Sequence, residues 1–529
     1  MVNGFKVITL CGSTRFKDEF LEAQKRLTLE GNVVIFVGLF GHSGDDEVWT
    51  EGVKDMLDRQ HLAKIDLADE IFVINVGGYI GESTKREIAY AEFKGKTITY
   101  MENSKKTSIY ENYAALGELH DAGRISDEDF EQAGRDFDEK RKAAIAEYNA
   151  CKGPWPYQWK NIDAVVCGIL QQMGLISIDP SDLDFMYDSY SVWEIRVADN
   201  STDNSKKLEK ICQSLRNNYE YILRNAQKLV VTLTYSSDCQ TVIEDTSLLQ
   251  NLLNEYKTGV EIIWQTRKTI DFNDTVEVSI VIKHLYDDWV QRVCSFLSET
   301  GPKLGEKGTH CASFQSMPVL DRQPDVVFLG YNPHEEWEFY KVDASPIRFY
   351  EGNPSFYTKE RKKWRVWRIA GLFDWAGYRR PITDGNFVFF NSIYFGTKNI
   401  ANFKKIPGST EAIEKCLVFT EEVIQSIFKP KCVICFSVEE CFNLLNNRFV
   451  FDDVISVDTA RSTDQELIDF VKSKKSGAWK QTYKCSKPVM KGNWNGIPVY
   501  GIPHPSSSVS NDDLGAAALY LRSELQKII

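Results

Sequence analysis

Short apolar runs and amphipathic stretches alternate along the first hundred residues. Residues 5–10, 33–37, 71–76 and 97–101 are apolar over strand length, and stretches between them, such as 16–30, carry apolar positions at helical spacing. That rhythm predicts a doubly wound α/β domain built on a parallel sheet. From 104 to 147 the pattern turns charged and helical. Within it 116–141 predicts a helical hairpin, because Asp121, Ala122 and Gly123 break one helix while Ser126 and Asp129 provide an N-cap and an N3 acid for the next. Pro154 and Pro156 punctuate a linker. Between 159 and 297 a helix over 206–227 and strands over 229–235, 260–264 and 276–282 predict a small α/β domain with no assignable chemistry. Beyond Asp325 four apolar runs end in polar or glycine-rich residues, over 326–332, 387–392, 432–437 and 498–507, and predict a four-stranded parallel sheet. A chain of 529 residues is too long for one hydrophobic core. The expected fold class is therefore multidomain α/β: a doubly wound domain over 1–103, a hairpin spacer and linker over 104–157, a small α/β domain over 158–300, and an α/β domain over 301–529.

Composition narrows the setting. Hydrophobic residues at 43% and charged residues at 26% suit a globular protein, and no apolar stretch approaches spanning length. The first residues enter a strand at once and lack the regions of a secretory signal, which predicts a cytoplasmic protein. Twelve cysteines without regular close spacing predict reduced thiols. Cys432 and Cys435 lie in an apolar run with no second pair nearby, so core packing is expected there, and no metal or organic cofactor is expected anywhere in the chain. The net charge of −12 is uneven: residues 1–300 hold 33 basic and 49 acidic residues, residues 301–529 hold 30 and 26. The acidic part repels a polyanion, whereas the remainder permits nucleic acid without demanding it.

Chemistry first gathers at two strand ends of the N-terminal domain. Cys11, Gly12, Ser13, Thr14 and Arg15 lead from the first strand into a helix, a turn that offers backbone N–H groups and a cation to a phosphate or to ribose hydroxyls. A tight turn capped by Ser13 or Thr14 explains the same residues without a ligand. The third strand ends near Asn75 and Val76, before Gly77, Gly78, Tyr79, Ile80, Gly81, Glu82 and Ser83, and a helix predicted over 84–93 carries Glu87 in its first turn. Thr84 and Glu87 also have the spacing of a capping box, in which Glu87 would serve only its own helix. Taken together, the Gly-Ser-x-Arg turn, the Ala68-Asp69-Glu70 strand entry and the Glu87-Ile88-Ala89-Tyr90-Ala91 segment resemble the nucleoside 2-deoxyribosyltransferase-like superfamily, with its deoxynucleoside-monophosphate N-glycosidases, over about 5–102. The resemblance implies that Glu87 attacks or stabilises the anomeric carbon of an oxocarbenium-like state, with Gly12, Ser13, Arg15, Tyr79 and Ser83 binding substrate. One family aspartate is replaced by His61, with Asp58 a turn away, and His61 would donate a proton to the leaving base or bind phosphate. The hairpin resembles helical pairs appended to other domains, which implies a spacer or an oligomerisation element. Relatives of the N-terminal domain complete their pockets across subunits, which leaves room for a homo-oligomer.

The second gathering lies in the C-terminal domain. Gly330, Tyr331, Asn332, Pro333 and His334 end its first strand, Asn391 and Ser392 its second, and His504 follows its last. In this order they resemble the uracil-DNA glycosylase superfamily over about 325–526, in particular the branches whose first motif is Gly-x-Asn-Pro. By that resemblance Asn332 positions the attacking water, Asn391 reads the base edge, His504 stabilises the leaving base, and Tyr331, Phe349 or Phe356 stacks on it. The first motif lacks the aspartate of the most active branch, and Glu335, Glu336 and Glu338 oppose DNA. Basic residues interleaved with Trp364 and Trp367 over 359–368 suit a phosphate backbone and stacked bases, and equally an amphipathic helix.

These residues lead to an N-glycosidase that acts at Glu87 on a nucleotide or nucleoside, joined to a domain that recognises a base or nucleic acid, as in a phage-defence effector. The alternatives are a DNA glycosylase for uracil or a modified pyrimidine, catalysed by the C-terminal domain, and a sensor that binds nucleotide or nucleic acid without turnover.

Overall fold

The computed structural model describes residues 1–102, 107–171, 178–201, 203, 206–236, 246–256, 260–269, 275–304, 310–311, 314–331, 346–353, 385–396, 403–457, 488–504 and 511–529. The chain divides into two compact units, the first made of 1–208, 229–245 and 261–283, the second of 209–228, 246–260 and 284–529. Among the described residues no helix is long and apolar enough to cross a membrane.

In the first unit, β1 (Val7–Gly12), α1 (Lys17–Leu29), β2 (Val33–Ile35), α2 (Val53–Leu67), β3 (Glu70–Ile74), α3 (Glu82–Phe93) and β4 (Thr97–Tyr100) form the alternating α/β layer. The strands run in the order β2-β1-β3-β4 and every neighbouring pair is parallel. Because the chain passes from β1 to β2 on one side and then crosses back to place β3 on the other, the carboxyl end of β1 is a topological switch point, where open α/β sheets hold their ligands. Strand β3 is buried at every position, as its unbroken apolar run requires of a strand covered on both faces.

The helical hairpin is α4 (Ile109–Asp121) and α5 (Asp127–Ala150), with Ser108 and Ser126 as N-caps. It is packed, not detached as a spacer would be. Leu116, Leu119, Ile125 and Ala133 share one core with Ile88, Ala89 and Ala91 of α3. Beyond the hairpin lie β5 (Tyr157–Trp159), α6 (Ile162–Leu170), β6 (Val192–Asp199), β7 (Ala226–Ser236), β8 (Glu261–Thr269) and β9 (Val276–His284). These strands make a five-stranded sheet in the order β5-β6-β9-β7-β8, antiparallel at β5/β6 and β6/β9. Strands β5 and β6 were not anticipated: the first follows the prolines read as a linker, and the second leads into a polar loop.

The second unit contains α7 (Lys207–Arg224, from Glu209), α8 (Thr246–Tyr256) and α9 (Leu285–Leu304). Its sheet comprises β10 (Val326–Gly330), β11 (Phe387–Asn391), β12 (Cys432–Phe436), β13 (Asp452–Val457), β14 (Val489–Trp494) and β15 (Ile497–Ile502), with α10 (Ser409–Glu422) and α11 (Asn511–Leu525) among its helices. The order is β11-β10-β12-β15-β14-β13. The four strands expected from the sequence are the parallel ones, and two antiparallel strands extend the sheet to six. Strands β10, β11 and β12 are buried throughout. Cys432 and Cys435 are core residues of β12.

Candidate active site

Glycine at position 12 is a requirement of the sheet. A Cβ there would lie 2.7 Å from the carbonyl oxygen of Ile74, so β1 and β3 approach this closely only without a side chain. On either side of that glycine the chain sends its side chains to two different clusters.

The first cluster joins the two loops at the carboxyl ends of β1 and β3. The Arg15 guanidinium lies over the Tyr79 ring, 4.3 Å from its centroid, donates to Tyr79 Oη at 3.2 Å and, through Nε, to Ser13 Oγ at 3.1 Å. Ser13, Arg15 and Tyr79 thus meet on the exposed rim. Neither Ser13 nor Thr14 caps α1: Phe16 holds the N-cap position without a side-chain bond, while Thr14 Oγ1 lies 2.7 Å from His42 Nδ1.

The second cluster is buried and draws one residue from each of three elements. Cys11 of β1 is fully buried, and its Sγ lies 3.4 Å from His61 Nε2 of α2. His61 Nε2 is in turn 3.6 Å from Glu87 Oε2 of α3. Ser83, one turn before Glu87, donates to Oε1 over a long 3.5 Å. Glu87 Oε2 is sealed from solvent and has no hydrogen-bond partner. The capping box does not form, because α3 starts two residues earlier than expected, behind Gly81; Thr84 is buried inside the first turn and Glu87 falls in the second.

Burial dominates the proton affinities. It pushes the Glu87 carboxyl up to about 8, with the charge of Asp58 adding to the effect. Burial, and then the nearby Lys64 ammonium, hold the His61 imidazole down at about 4. Burial and the neighbouring Glu87 hold the Cys11 thiol well above the ordinary range. At neutral pH the three groups rest as acid, neutral imidazole and thiol, so the site carries no net charge of its own. His61 and Asp58 both belong to the surroundings of Glu87.

A cavity of about 230 Å³ reaches Glu87 and Ser83, with Asp58 and Arg86 beside them and Glu118, Leu119 and Arg124 of the hairpin region opposite. Arg86 is paired with Glu118 at 2.9 Å, Arg124 with Asp55, and Asp58 with Lys54 at 2.8 Å. The volume is below the roughly 300–1,000 Å³ of pockets that enclose a whole ligand. A nucleotide would place only part of itself here. Sequence reasoning missed Cys11 as a site residue and the hairpin as a wall; the only local signal for the wall was Arg124, directly after the helix-breaking Gly123.

In the second unit β10 lies between β11 and β12, which makes its carboxyl end a switch point too. Gly330 pairs with Asn391 across β10/β11, and the Asn391 side chain folds over it: a Cβ at Gly330 would stand 2.2 Å from Asn391 Oδ1. Ser392 Oγ donates to the Tyr331 carbonyl at 3.1 Å. The Tyr331 hydroxyl is buried without a partner, and burial pushes it up to about 12. His504 is half-buried just past β15. From β11 to β15 is three strand spacings, about 14 Å, so the sheet by itself does not bring Asn391 and His504 together. Asn332, Pro333, His334, Phe356 and the basic segment 359–368 lie outside the described residues. Phe349 is not available for stacking on a base: it is fully buried, edge-on to Trp289, Phe314 and Tyr394 in the aromatic core.

No family model matches the chain, and no curated protein does. Among solved structures the chain is similar to an FtsZ dimer from M. jannaschii, at 12% identity, covering 53% of this chain and 88% of that one with a TM-score of 0.18. It is similar to TubZ protofilaments of Bacillus thuringiensis serovar israelensis at 11% identity, 57% and 93% coverage and a TM-score of 0.18. For CetZ from Methanosaeta thermophila the values are 13%, 57%, 95% and 0.18. Superposition this poor carries no argument about fold or function.

Proposed function

We propose that the chain is an N-glycosidase whose Glu87 acts on a nucleotide or nucleoside, and that its C-terminal domain recognises a base or nucleic acid. The observation that carries this reading is the state of Glu87: a carboxyl group not used by its own helix, buried, with one oxygen lacking any partner, at the edge of a polar cavity. Such a group is costly to the fold, and strongly perturbed proton affinities cluster at functional sites.

Cleavage of an N-glycosidic bond builds positive charge on the sugar. A carboxylate held in a low-dielectric pocket stabilises that charge strongly, by bonding to the anomeric carbon or by pairing with it. Glu87 rests protonated, so its carboxyl must ionise before it can do either. The developing cation makes that ionisation easier, which ties loss of the proton to departure of the base. Ser83 orients Oε1, and the Ser13, Arg15 and Tyr79 cluster supplies donors for a phosphate or for ribose hydroxyls.

The test is release of free base from deoxynucleoside monophosphates, nucleosides, NAD and ATP, followed by chromatography. Release by the wild type and none by Glu87→Gln supports the reading; equal behaviour of the two on every substrate ends it. A second reading places the chemistry in the C-terminal domain, favoured by the Asn391 amide at the switch point and the unpartnered Tyr331 hydroxyl. It expects alkali-sensitive abasic sites in uracil-containing DNA that His504→Ala abolishes. Thermal stabilisation by nucleotide with no product from either domain would identify a sensor instead. A domain that senses joined to a domain that destroys nucleotides would suit a phage-defence effector.

A further inference from the structure

We propose that Cys11, His61 and Glu87 form a binding site for one divalent cation of the zinc class, held by Sγ, Nε2 and Oε2. The three atoms lie within 4.8 Å of one another. Around a tetrahedral ion with usual zinc bond lengths, ligand atoms stand about 3.6 Å apart for sulfur and nitrogen and about 3.4 Å for nitrogen and oxygen. The observed separations are 3.4 Å for Sγ and Nε2 and 3.6 Å for Nε2 and Oε2. The second is too long for a good hydrogen bond, Oε2 makes no well-formed hydrogen bond, and the Cys11 thiol faces the same carboxyl. The spacing therefore suits a shared centre better than it suits bonds between the side chains themselves.

Ligand chemistry points to the same class of ion. One sulfur, one imidazole nitrogen and one carboxylate oxygen are a set for zinc or cobalt, whereas magnesium and calcium take oxygen alone. Charge balance agrees: a dication with one thiolate, one carboxylate and one neutral imidazole is neutral overall, which a buried site tolerates. On binding, the Cys11 thiol and the Glu87 carboxyl each release a proton to solvent, and His61 enters already neutral. The ligands come from β1, α2 and α3, so rigid elements fix their positions. The cavity that reaches Glu87, with Asp58, Arg86 and Arg124 among its lining, is the side from which an ion would approach.

If Glu87 is the glycosidase residue proposed above, the ion and the reaction exclude each other, because the same carboxylate oxygen cannot coordinate a cation and face an anomeric carbon. This consequence rests on that reading, whereas the binding site does not.

The full chain, stripped with EDTA and dialysed, is titrated with zinc sulfate by calorimetry and with cobalt chloride by absorption. The expected result is a zinc site of one ion per chain and a tetrahedral cobalt spectrum with a thiolate charge-transfer band. Cys11→Ser is expected to abolish that band and weaken zinc at least tenfold, His61→Gln to weaken zinc at least tenfold, and magnesium chloride to compete with neither ion. Absence of saturable zinc binding to the wild type, a cobalt spectrum without the thiolate band, or a zinc affinity untouched by Cys11→Ser overturns the proposal. The wild-type spectrum needs no variant to fold. Base release is measured separately with and without zinc: a bound ion that leaves turnover unchanged removes Glu87 from the chemistry and leaves the metal site standing, whereas failure to bind leaves the glycosidase reading untouched.

Discussion

A buried carboxyl beside an imidazole usually resolves into an ion pair or a shared proton. Glu87 and His61 do neither, since 3.6 Å separates them and burial drives each toward its neutral form. The consequence for activity follows directly. If the carboxylate is the working form, base release by the metal-free protein rises about tenfold per pH unit on the way up to about 8 and then levels. A rate that falls over that range would assign the protonated acid instead. Stability has the opposite sign. Between about 4.5 and 8 folded Glu87 keeps a proton that the unfolded chain has lost, so the stability it contributes drains away as pH rises. His61 acts the other way, its contribution being lost as pH falls from 6.5 toward 4. From 6.5 to 8 Glu87 titrates, and the tail of the His61 titration is common to the wild type and Glu87→Gln. In EDTA, denaturant titrations are expected to show the wild type losing about 2 kcal/mol relative to Glu87→Gln across that window. Parallel curves for the two proteins would mean that Glu87 ionises normally.

At the scale of elements, the lesson concerns which contacts are local. The apolar runs that became β1, β3, β10, β11 and β12 were legible because a covered strand needs no partner to be recognised. The capping-box spacing of Thr84 and Glu87 was legible too, and it misled, because Gly81 starts α3 earlier than the spacing implies. Cys11 looked like one letter of a turn; only the fold brings it to His61, fifty positions away. Glu194 was silent for the same reason. It is fully buried on β6 and accepts from Tyr148 Oη, Trp159 Nε1, Ser279 Oγ and the Arg196 guanidinium, which ties α5 to β5, β6 and β9. Glu194→Ala strands those donors and is expected to cost about 3–5 kcal/mol, read by urea titration. A loss under 1 kcal/mol would show that water replaces the carboxylate. Gly330 offers a sharper probe of the second unit. In Gly330→Ala the new methyl must displace the Asn391 amide, 2.2 Å away, so recognition of a base is expected to fail with only about 1–3 kcal/mol of lost stability. Retained binding of uracil-containing DNA by Gly330→Ala would remove Asn391 from recognition.

At the scale of the whole molecule, charge is unevenly distributed. Residues 1–300 carry an excess of 16 acidic residues, and residues 301–529 an excess of four basic ones. A polyanion is therefore repelled from the part that holds Glu87, while a mononucleotide, with its one compact phosphate, can still be met by Arg15 on the rim. Under the proposed function nucleic acid binds through residues 301–529, whose sequence interleaves Lys359, Arg361, Lys362, Lys363, Arg365 and Arg368 with Trp364 and Trp367. That segment lies outside the described residues, so its helix and its strand-binding alternatives are separated by function. Lys362→Glu combined with Lys363→Glu is expected to weaken single-stranded DNA binding at least tenfold at low salt and to flatten the dependence of affinity on salt, because binding with two fewer phosphate contacts releases fewer counterions. Base release from mononucleotides at Glu87 is expected to stay unchanged in the same protein. Anisotropy titrations at three salt concentrations, run beside the nucleotide assay, read both. Should the double variant bind DNA like the wild type, the segment takes no part in binding; should it lose nucleotide turnover as well, the two activities do not divide along the charge boundary.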